Sequence, residues 1–535
     1  MSADPFVAYR GVVNAASSMP AGLPGGGIAR GSAFSIYGRR LGPPSSPTLS
    51  FPLQTTLGGV SITITQGSTT VNAIPTFISP GQINAIMPSN APLGLVTLRV
   101  NFNGRGNATP VRVVNSSFGI FAANSAGSGP GIFQNFVAAD QLPVNTLNGA
   151  ARRGQVVILW GTGLGPVPAD NVAPTPGNLS TPTEVFVGGV SATVQYSGRS
   201  PCCAAIDQIV FTIPADAPLG CWVPVYVRTD RAAISNFTTI AIAGEGVNCS
   251  EMENPLVQTL IAGGRSASFV AARFSIRADQ GVTQLAEGTS DVIGGFLAEQ
   301  NAGPFNFNPM LSLPPAGSCT AYGIRGAVTR AVPVLPGALP TGRGLDAGAI
   351  TIRSPRGTQT VAASRQSGVA MRFLGASLQL FPQLMNLFFD GSSISLMAAG
   401  GADVGAFTAT TTVPQSLAWT NRDQLSVVNR SQGFTVNWSG AATGHTVFIS
   451  GGSVDVPTDS SSLFVCRALP GATSFRIPPD VLWNIAPSRG NLTESPGAVY
   501  VGQWNLASPV AFTATGISSG SLLGAQVIVK TVVFQ

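Results

Sequence analysis

One block of this chain is written twice. Gly31-Ser-Ala-Phe-Ser-Ile-Tyr-Gly-Arg-Arg-Leu-Gly-Pro43 returns as Gly154-Gln-Val-Val-Ile-Leu-Trp-Gly-Thr-Gly-Leu-Gly-Pro166. Further on, Gln82-Ile83, Pro88 and Ala91-Pro-Leu-Gly94 return as Gln208-Ile209, Pro214 and Ala217-Pro-Leu-Gly220. The offset is 123 residues at the first block and 126 at the second. The repeating unit is therefore a whole domain, not the roughly 20–50-residue unit of a solenoid.

In each copy a strand runs into a Gly-x-x-Leu-Gly-Pro turn, in the second copy Val156–Trp160 followed by Gly161-Thr-Gly-Leu-Gly-Pro166. Glycine supplies positive φ there and proline stops the strand. Gly58-Gly59 and Gly188-Gly189 read as one position in the two copies, each opening an alternating run, Val60–Thr65 and Val190–Gln195. Asp207–Ile213, Cys221–Thr229 and Ser235–Ala243 close the second copy. Turn signals at intervals of about 8–12 residues predict an Ig-like sandwich in each. Ile83 and Ile209, and Leu93 and Leu219, are expected at equivalent places. The fold class expected is all-β, with tandem Ig-like β-sandwich domains. After Cys249 the repeated blocks stop. The expected organisation is 1–122 and 123–248 for the repeats, a β-rich region 249–415, and a C-terminal sandwich 416–535. Spacing alone leaves open whether 249–415 is separate.

The order of Val13-Asn-Ala-Ala-Ser17, Leu-Gly-Pro, Gln-Ile and Ala-Pro-Leu-Gly resembles the IPT/TIG type of Ig-like domain. It is more closely similar to a secreted-protein family abundant in acidobacteria of the Solibacter type. The match covers roughly residues 11–120 and 130–245, and the second copy lacks the Asn-Ala-Ala-Ser block. That family has no established activity, so the resemblance implies fold and export, not a reaction.

Charged residues are 9% of the chain, against about 25% in average soluble proteins. The net charge of +6 is carried by arginine, with Lys530 the single lysine. The densest basic clusters in sequence are the pairs Arg39-Arg40 and Arg152-Arg153, too small a footprint to predict nucleic-acid binding. Phe373–Phe389 is uncharged but interrupted by Gln379, Pro382, Gln383 and Asn386. It is shorter than the roughly 18–20 apolar residues a membrane helix needs, so no membrane insertion is expected. Ser2-Ala-Asp-Pro5 leads straight into domain sequence with no signal peptide, as expected of an exported chain whose signal has been removed.

The six cysteines, Cys202, Cys203, Cys221, Cys249, Cys319 and Cys466, lack zinc spacing, and His445 is the lone histidine. An even count in a polar β chain points to disulfides and an oxidising compartment, extracellular or cell surface. Alternating strand directions favour Cys221–Cys249, with Cys202–Cys203 as a vicinal bridge and Cys319–Cys466 tying the third region to the fourth. The alternative joins Cys202 or Cys203 to Cys221.

Catalytic motifs fail on context. Gly516-Ile-Ser-Ser-Gly520 spells a nucleophile elbow, but a strand follows it and the one histidine precedes it. Gly161-Thr-Gly-Leu-Gly-Pro166 spells a dinucleotide loop, but Pro166 stands where a helix would open. Asp455 and Asp459 read as a solvated turn, with a loop calcium ion as the lesser alternative. No enzyme, metal or cofactor is expected. Trp160, Trp222 and Trp438 lie in apolar runs and read as core, while Trp483 and Trp504 flank looser segments and form a candidate ligand platform.

Two functions fit. The first is a non-enzymatic surface protein, structural or adhesive. The terminal run Gln526–Gln535 would let it self-assemble as a homo-oligomer or polymer if that run lies at an open sheet edge. The second is a secreted protein that binds surface polymers or glycans.

Overall fold

The computed structural model describes all residues except 1–3, 252, 253, 255, 256, 258–260, 281, 282, 310, 326–342, 362–390, 456–459 and 489–496. The Phe373–Phe389 segment thus lies outside the described residues. The chain is all-β and forms two compact units, one of residues 1–219, 223–248 and 322–325, the other of the remainder.

The first unit contains two Ig-like sandwiches in tandem. In the first repeat β1 (Phe6–Asn14), β2 (Ile28–Ala29), β3 (Ala33–Arg39), β4 (Thr56–Leu57) and β5 (Val60–Gln66) come first. They are followed by β6 (Thr69–Ile78), β7 (Gln82–Ile86), β8 (Gly94–Phe102) and β9 (Arg105–Val114). The second repeat has β10 (Gly119–Ile120), β11 (Phe133–Asn135), β12 (Ala151–Arg152), β13 (Val156–Thr162), β14 (Gly177–Asn178) and β15 (Thr183–Val187). It continues with β16 (Val190–Arg199), β17 (Asp207–Thr212), β18 (Gly220–Thr229), β19 (Ala233–Ile234) and β20 (Thr238–Ala243). The hydrogen-bonded order is β1-β3-β7-β6-β5-β8-β9-β2 in one and β10-β13-β17-β16-β15-β18-β20-β12 in the other. The two paths match strand for strand.

A long strand joins the layers. The first half of β6 pairs with β5 and its second half with β7, across a register shift near Pro75. The alternation in β8 shows how sequence chooses the core: Val96, Leu98 and Val100 point inward, while Leu95, Thr97 and Arg99 face solvent. Each such buried aliphatic side chain contributes about 1.5–3 kcal/mol. Ile36 faces Ile83 across β3 and β7, and Leu159 faces Ile209 across β13 and β17, so the repeated blocks are equivalent in register. Leu93 and Leu219 likewise stand, both exposed, just before β8 and β18.

The two glycine pairs are not one position. Gly188-Gly189 turns β15 into β16. The strands in those places of the first repeat are β5 and β6, which turn at Gly67, whereas Gly58-Gly59 joins β4 to β5. A glycine pair reports a tight hairpin, not which hairpin it is. The second repeat also starts earlier than residue 123, since Gly119 and Ile120 already pair with β13.

In the second unit one sheet runs Ser460–Arg467, Thr446–Asp455, Gly497–Trp504, Ser519–Thr531, Gly264–Gln280, Thr283–Gln300. Ser519–Thr531 pairs in parallel with Gly264–Gln280, so strands from both sides of residue 415 share this sheet. A four-stranded sheet (Gly357–Val361, Ile350–Ser354, Ser393–Ala398, Phe407–Thr412) supplies Ile352, Leu396 and Phe407 to a core with Phe269, Phe512 and Leu522. Residue 415 therefore divides neither the sheet nor this core. The terminal run is not an open edge either. Val527–Lys530 are bonded on one side to Phe274–Arg277 and on the other to Val499–Gly502, and Val533–Phe534 pair with Val427–Val428. The self-assembly expected through that edge is thereby corrected: its backbone groups are already paired.

Candidate functional site

The two sandwiches of the first unit are joined by side chains, beginning with Asn14. Its Oδ1 accepts from the amides of Ala16 and Ser17 at 2.9 and 3.1 Å, closing a local turn. Its Nδ2 donates to the carbonyls of Ser117 and Thr162, at 3.2 and 3.3 Å, in the second repeat. Thr162 Oγ1 accepts from the amide of Ala33 at 2.9 Å. Ser89 meets both carboxylate oxygens of Asp170 at 2.7 Å. The Val13–Ser17 block is therefore the seam between copies, which explains why one copy has it and the other does not.

Beside this seam the Gly161–Pro166 turn holds an internal anion. The amides of Gly163 and Leu164 donate to Asp207 Oδ2 at 2.8 and 2.9 Å, and Gly163 sits at φ +114°. In the first repeat the amide of Leu41, the residue equivalent to Leu164, donates instead to the carbonyl of Pro80. Asp207 is fully buried and paired with Arg199, which also donates to the carbonyls of Gly31 and Gly165 at 2.7 and 3.0 Å. Burial pushes the Asp207 carboxyl up from its ordinary range, against the pull of Arg199 and of the two loop amides. The loop that spells a dinucleotide motif is filled by the protein's own carboxylate.

Next to the seam lies a cleft of about 530 Å³, lined by residues of both repeats. Its floor is the outer face of β3 and β7, where Ser35 stands opposite Asn84 and Tyr37 opposite Gln82. Asn84 Oδ1 accepts from Ser35 Oγ at 2.9 Å and from Gln82 Nε2 at 2.8 Å. The acceptor side of this amide is thus satisfied inside the protein, and its N–H groups are the donors available to a ligand. Its walls draw on Leu49 and Phe51 of the first repeat and on Phe121, Cys203 and Ala204 of the second. The Ser200–Ile206 turn that carries Cys203 is anchored by Ala205, buried against Leu53, Ile74 and Ile86 of the first repeat. All twenty lining residues are uncharged. Apolar walls over a polar floor suit an uncharged, hydroxyl-rich ligand. Sequence reasoning missed this cleft because its lining is drawn from positions 15 to 206 and has no local motif.

The residues singled out from sequence are placed as follows. Cys202 is bonded to Cys203, Cys221 to Cys249 and Cys319 to Cys466, with Cα–Cα distances of 3.7, 5.1 and 4.0 Å. The Cys221 amide donates to Glu251 Oε1 at 2.7 Å. Trp222 and Trp438 are buried, and half-buried Trp160 donates to Gln134 at 2.8 Å. Trp504 ends its strand packed edge-on against Phe448, ring centroids 4.8 Å apart, and Trp483 carries the Arg430 guanidinium 5.6 Å from its ring centre. Asp455 is buried at a strand end, not in a solvated turn, and Asp459 lies outside the described residues. Among the described residues no group of three or more His, Cys, Asp or Glu is placed to hold a metal. No described helix is long and apolar enough to cross a membrane.

No family model and no curated protein matches the chain. Among solved structures it is similar to the plexin A4 extracellular region at 15% identity, covering 39% of this chain and 16% of that one, with a TM-score of 0.15. A titin Ig tandem is 9% identical over 46% of this chain and all of that one, TM-score 0.13. SGBP-B from a complex xyloglucan utilization locus in Bacteroides uniformis is 12% identical over 71% and 88%, TM-score 0.17. These are loose likenesses between chains of tandem β domains.

Proposed function

We propose that this chain is a non-enzymatic extracellular adhesive protein that attaches to a neutral carbohydrate polymer through the cleft of its first unit. The observation that carries this reading is the uncharged cleft, with Phe51 and Phe121 in its walls and Asn84 and Gln82 on its floor. Aromatic and aliphatic walls cover the apolar faces of sugar rings, and amides and hydroxyls satisfy their hydroxyl groups. Such groups hold a ligand without transferring protons. The three disulfides support an oxidising, extracellular setting, as does the resemblance to secreted acidobacterial proteins. A glycan array on the full chain, followed by calorimetry on the best neutral oligosaccharide, tests the proposal. Phe51→Ala and Asn84→Ala are each expected to weaken binding at least about tenfold, the loss of roughly 1.4 kcal/mol, with Trp483→Ala unchanged. Binding that survives both cleft substitutions, or no neutral glycan bound at all, removes the cleft from consideration.

A further inference from the structure

The chain's charge is not spread along it. Residues 1–115 hold seven arginines and a single acid, Asp4, which is the whole net charge of +6. Of 28 cations and 22 anions overall, 21 of each remain for the other 420 residues, which are neutral as a group. A domain of this size and charge attracts anions over its whole surface, and the fold concentrates the effect at one pole.

There β1 and β9 start side by side, tied by the Val7 amide donating to Asn107 Oδ1 at 3.1 Å. Arg40 Nε donates to the Asp4 carbonyl at 3.1 Å, and Arg105 meets the Asp4 carboxylate at 3.2 Å. Arg99 lies across Gly106, next to Arg105, where a Cβ would come within 2.7 Å of its Nε. Arg39 stands opposite Phe6 in the β1–β3 register, its guanidinium 5.8 Å from the ring centre. Tyr9, further along β1, carries Arg10 at 5.6 Å. Arg39, Arg40, Arg99 and Arg105 are all exposed. Sequence shows only the pair Arg39-Arg40; the others arrive through strand pairing.

We infer that this pole of the first repeat is a docking surface for an anionic polysaccharide bearing carboxylates, a uronate chain, separate from the neutral cleft. Three observations select that partner. Charge complementarity demands a polyanion. The one carboxylate of the repeat, on the exposed side chain of Asp4, already lies against Arg105, and guanidinium forks match the planar carboxylate. Finally, Arg39 and Arg10 each occupy one face of the exposed Phe6 and Tyr9 rings, which leaves less of them for the stacking that single-stranded nucleic acid uses.

The test uses the full oxidised chain with polygalacturonate, neutral dextran, dextran sulfate and oligo(dT) as probes, at about 50 and about 200 mM salt. Polygalacturonate is expected to bind, more weakly at the higher salt, and neutral dextran is not expected to compete. The triple variant Arg40→Gln, Arg99→Gln, Arg105→Gln should lose at least about tenfold in affinity. A control with the same loss of charge at exposed sites, Arg231→Gln, Arg356→Gln, Arg476→Gln, should bind as the parent does. The corresponding Arg→Lys triple at positions 40, 99 and 105 should fall between, because it keeps the charge and loses the fork. Equal losses in the Gln and control triples would reduce the effect to net charge and overturn the site. Tighter binding of oligo(dT) or dextran sulfate than of polygalacturonate would overturn the partner. Neither result bears on the neutral cleft, whose residues none of these variants touches.

Discussion

Arg199 and Asp207 form a buried ion pair at the junction of the two Ig-like repeats. The pair is not isolated: Asp207 also accepts two loop amides, and Arg199 also serves two carbonyls, one from each repeat. Both carboxylate oxygens and both terminal nitrogens of the guanidinium have partners, the condition under which buried charge is tolerated.

Removing one partner should therefore be costly and removing both much less so. Asp207→Asn is expected to lower the unfolding free energy of the first unit by about 3–5 kcal/mol, because Arg199 keeps its charge in a dry site. The double variant Arg199→Met, Asp207→Leu should lose less than the sum of the single changes. Urea unfolding of the parent, Arg199→Met, Asp207→Leu and the double variant, read as a double-mutant cycle, checks this; additive losses would refute the coupling.

Asn14→Ala deletes four hydrogen bonds at once, two within its own turn and two to the second repeat. At about 0.5–1.5 kcal/mol each, a loss of about 2–6 kcal/mol is expected. Since two of the four span the seam, the variant should also be cut faster by protease between residues 115 and 130, a comparison made by limited proteolysis and mass mapping.

The seam also shows what the sequence could and could not disclose. The Gly31 and Gly154 blocks placed Ile36 and Leu159 in the same register because each block is one whole strand with its turn, a local signal. Gly58-Gly59 and Gly188-Gly189 misled because a two-residue motif fits any hairpin. The β-branched run Gln526–Gln535 left an open edge possible because its parallel partner, Gly264–Gln280, lies some 250 residues earlier and leaves no local trace. The Arg pole and the cleft were hidden for the same reason: strand pairing, not spacing, brings Arg40, Arg99 and Arg105 together, or Asn84 near Cys203.

Acid should weaken one surface pair in a defined direction. Arg228 grips Glu184 through two bonds of 2.8 Å, and this hydrogen bonding holds the Glu184 carboxyl below its ordinary value of 4.5. The unfolded chain then takes up the proton more readily than the folded one, so the pair stabilises above about pH 4.5 and its contribution is lost as pH falls through the lower folded value. Glu184 is 41% exposed, which limits the effect to about 1 kcal/mol or less after screening. The gap in stability between the parent and Glu184→Gln should be open at pH 7, narrow in acid, and shrink with salt. A gap that widens in acid would reverse the assignment.

The three disulfides should rank by the length of chain they close. Cys319–Cys466 spans 147 residues, Cys221–Cys249 spans 28, and Cys202–Cys203 joins neighbours. Loop-closure entropy gives about 5 kcal/mol for the first, about 3.5 kcal/mol for the second and almost nothing for the third. Alanine pairs are the suitable replacements, because Cys221, Cys249 and Cys466 are buried and serine would add the cost of an unpaired hydroxyl. Urea unfolding is expected to show Cys319→Ala/Cys466→Ala as the most destabilised variant and Cys221→Ala/Cys249→Ala as intermediate. Cys202→Ala/Cys203→Ala should stay within about 0.5 kcal/mol of the parent. Its effect belongs to the cleft instead, where Cys203 forms part of a wall: neutral-glycan affinity should fall in this variant while stability does not. If the vicinal pair proves the most destabilising to remove, chain closure is not what these bonds contribute.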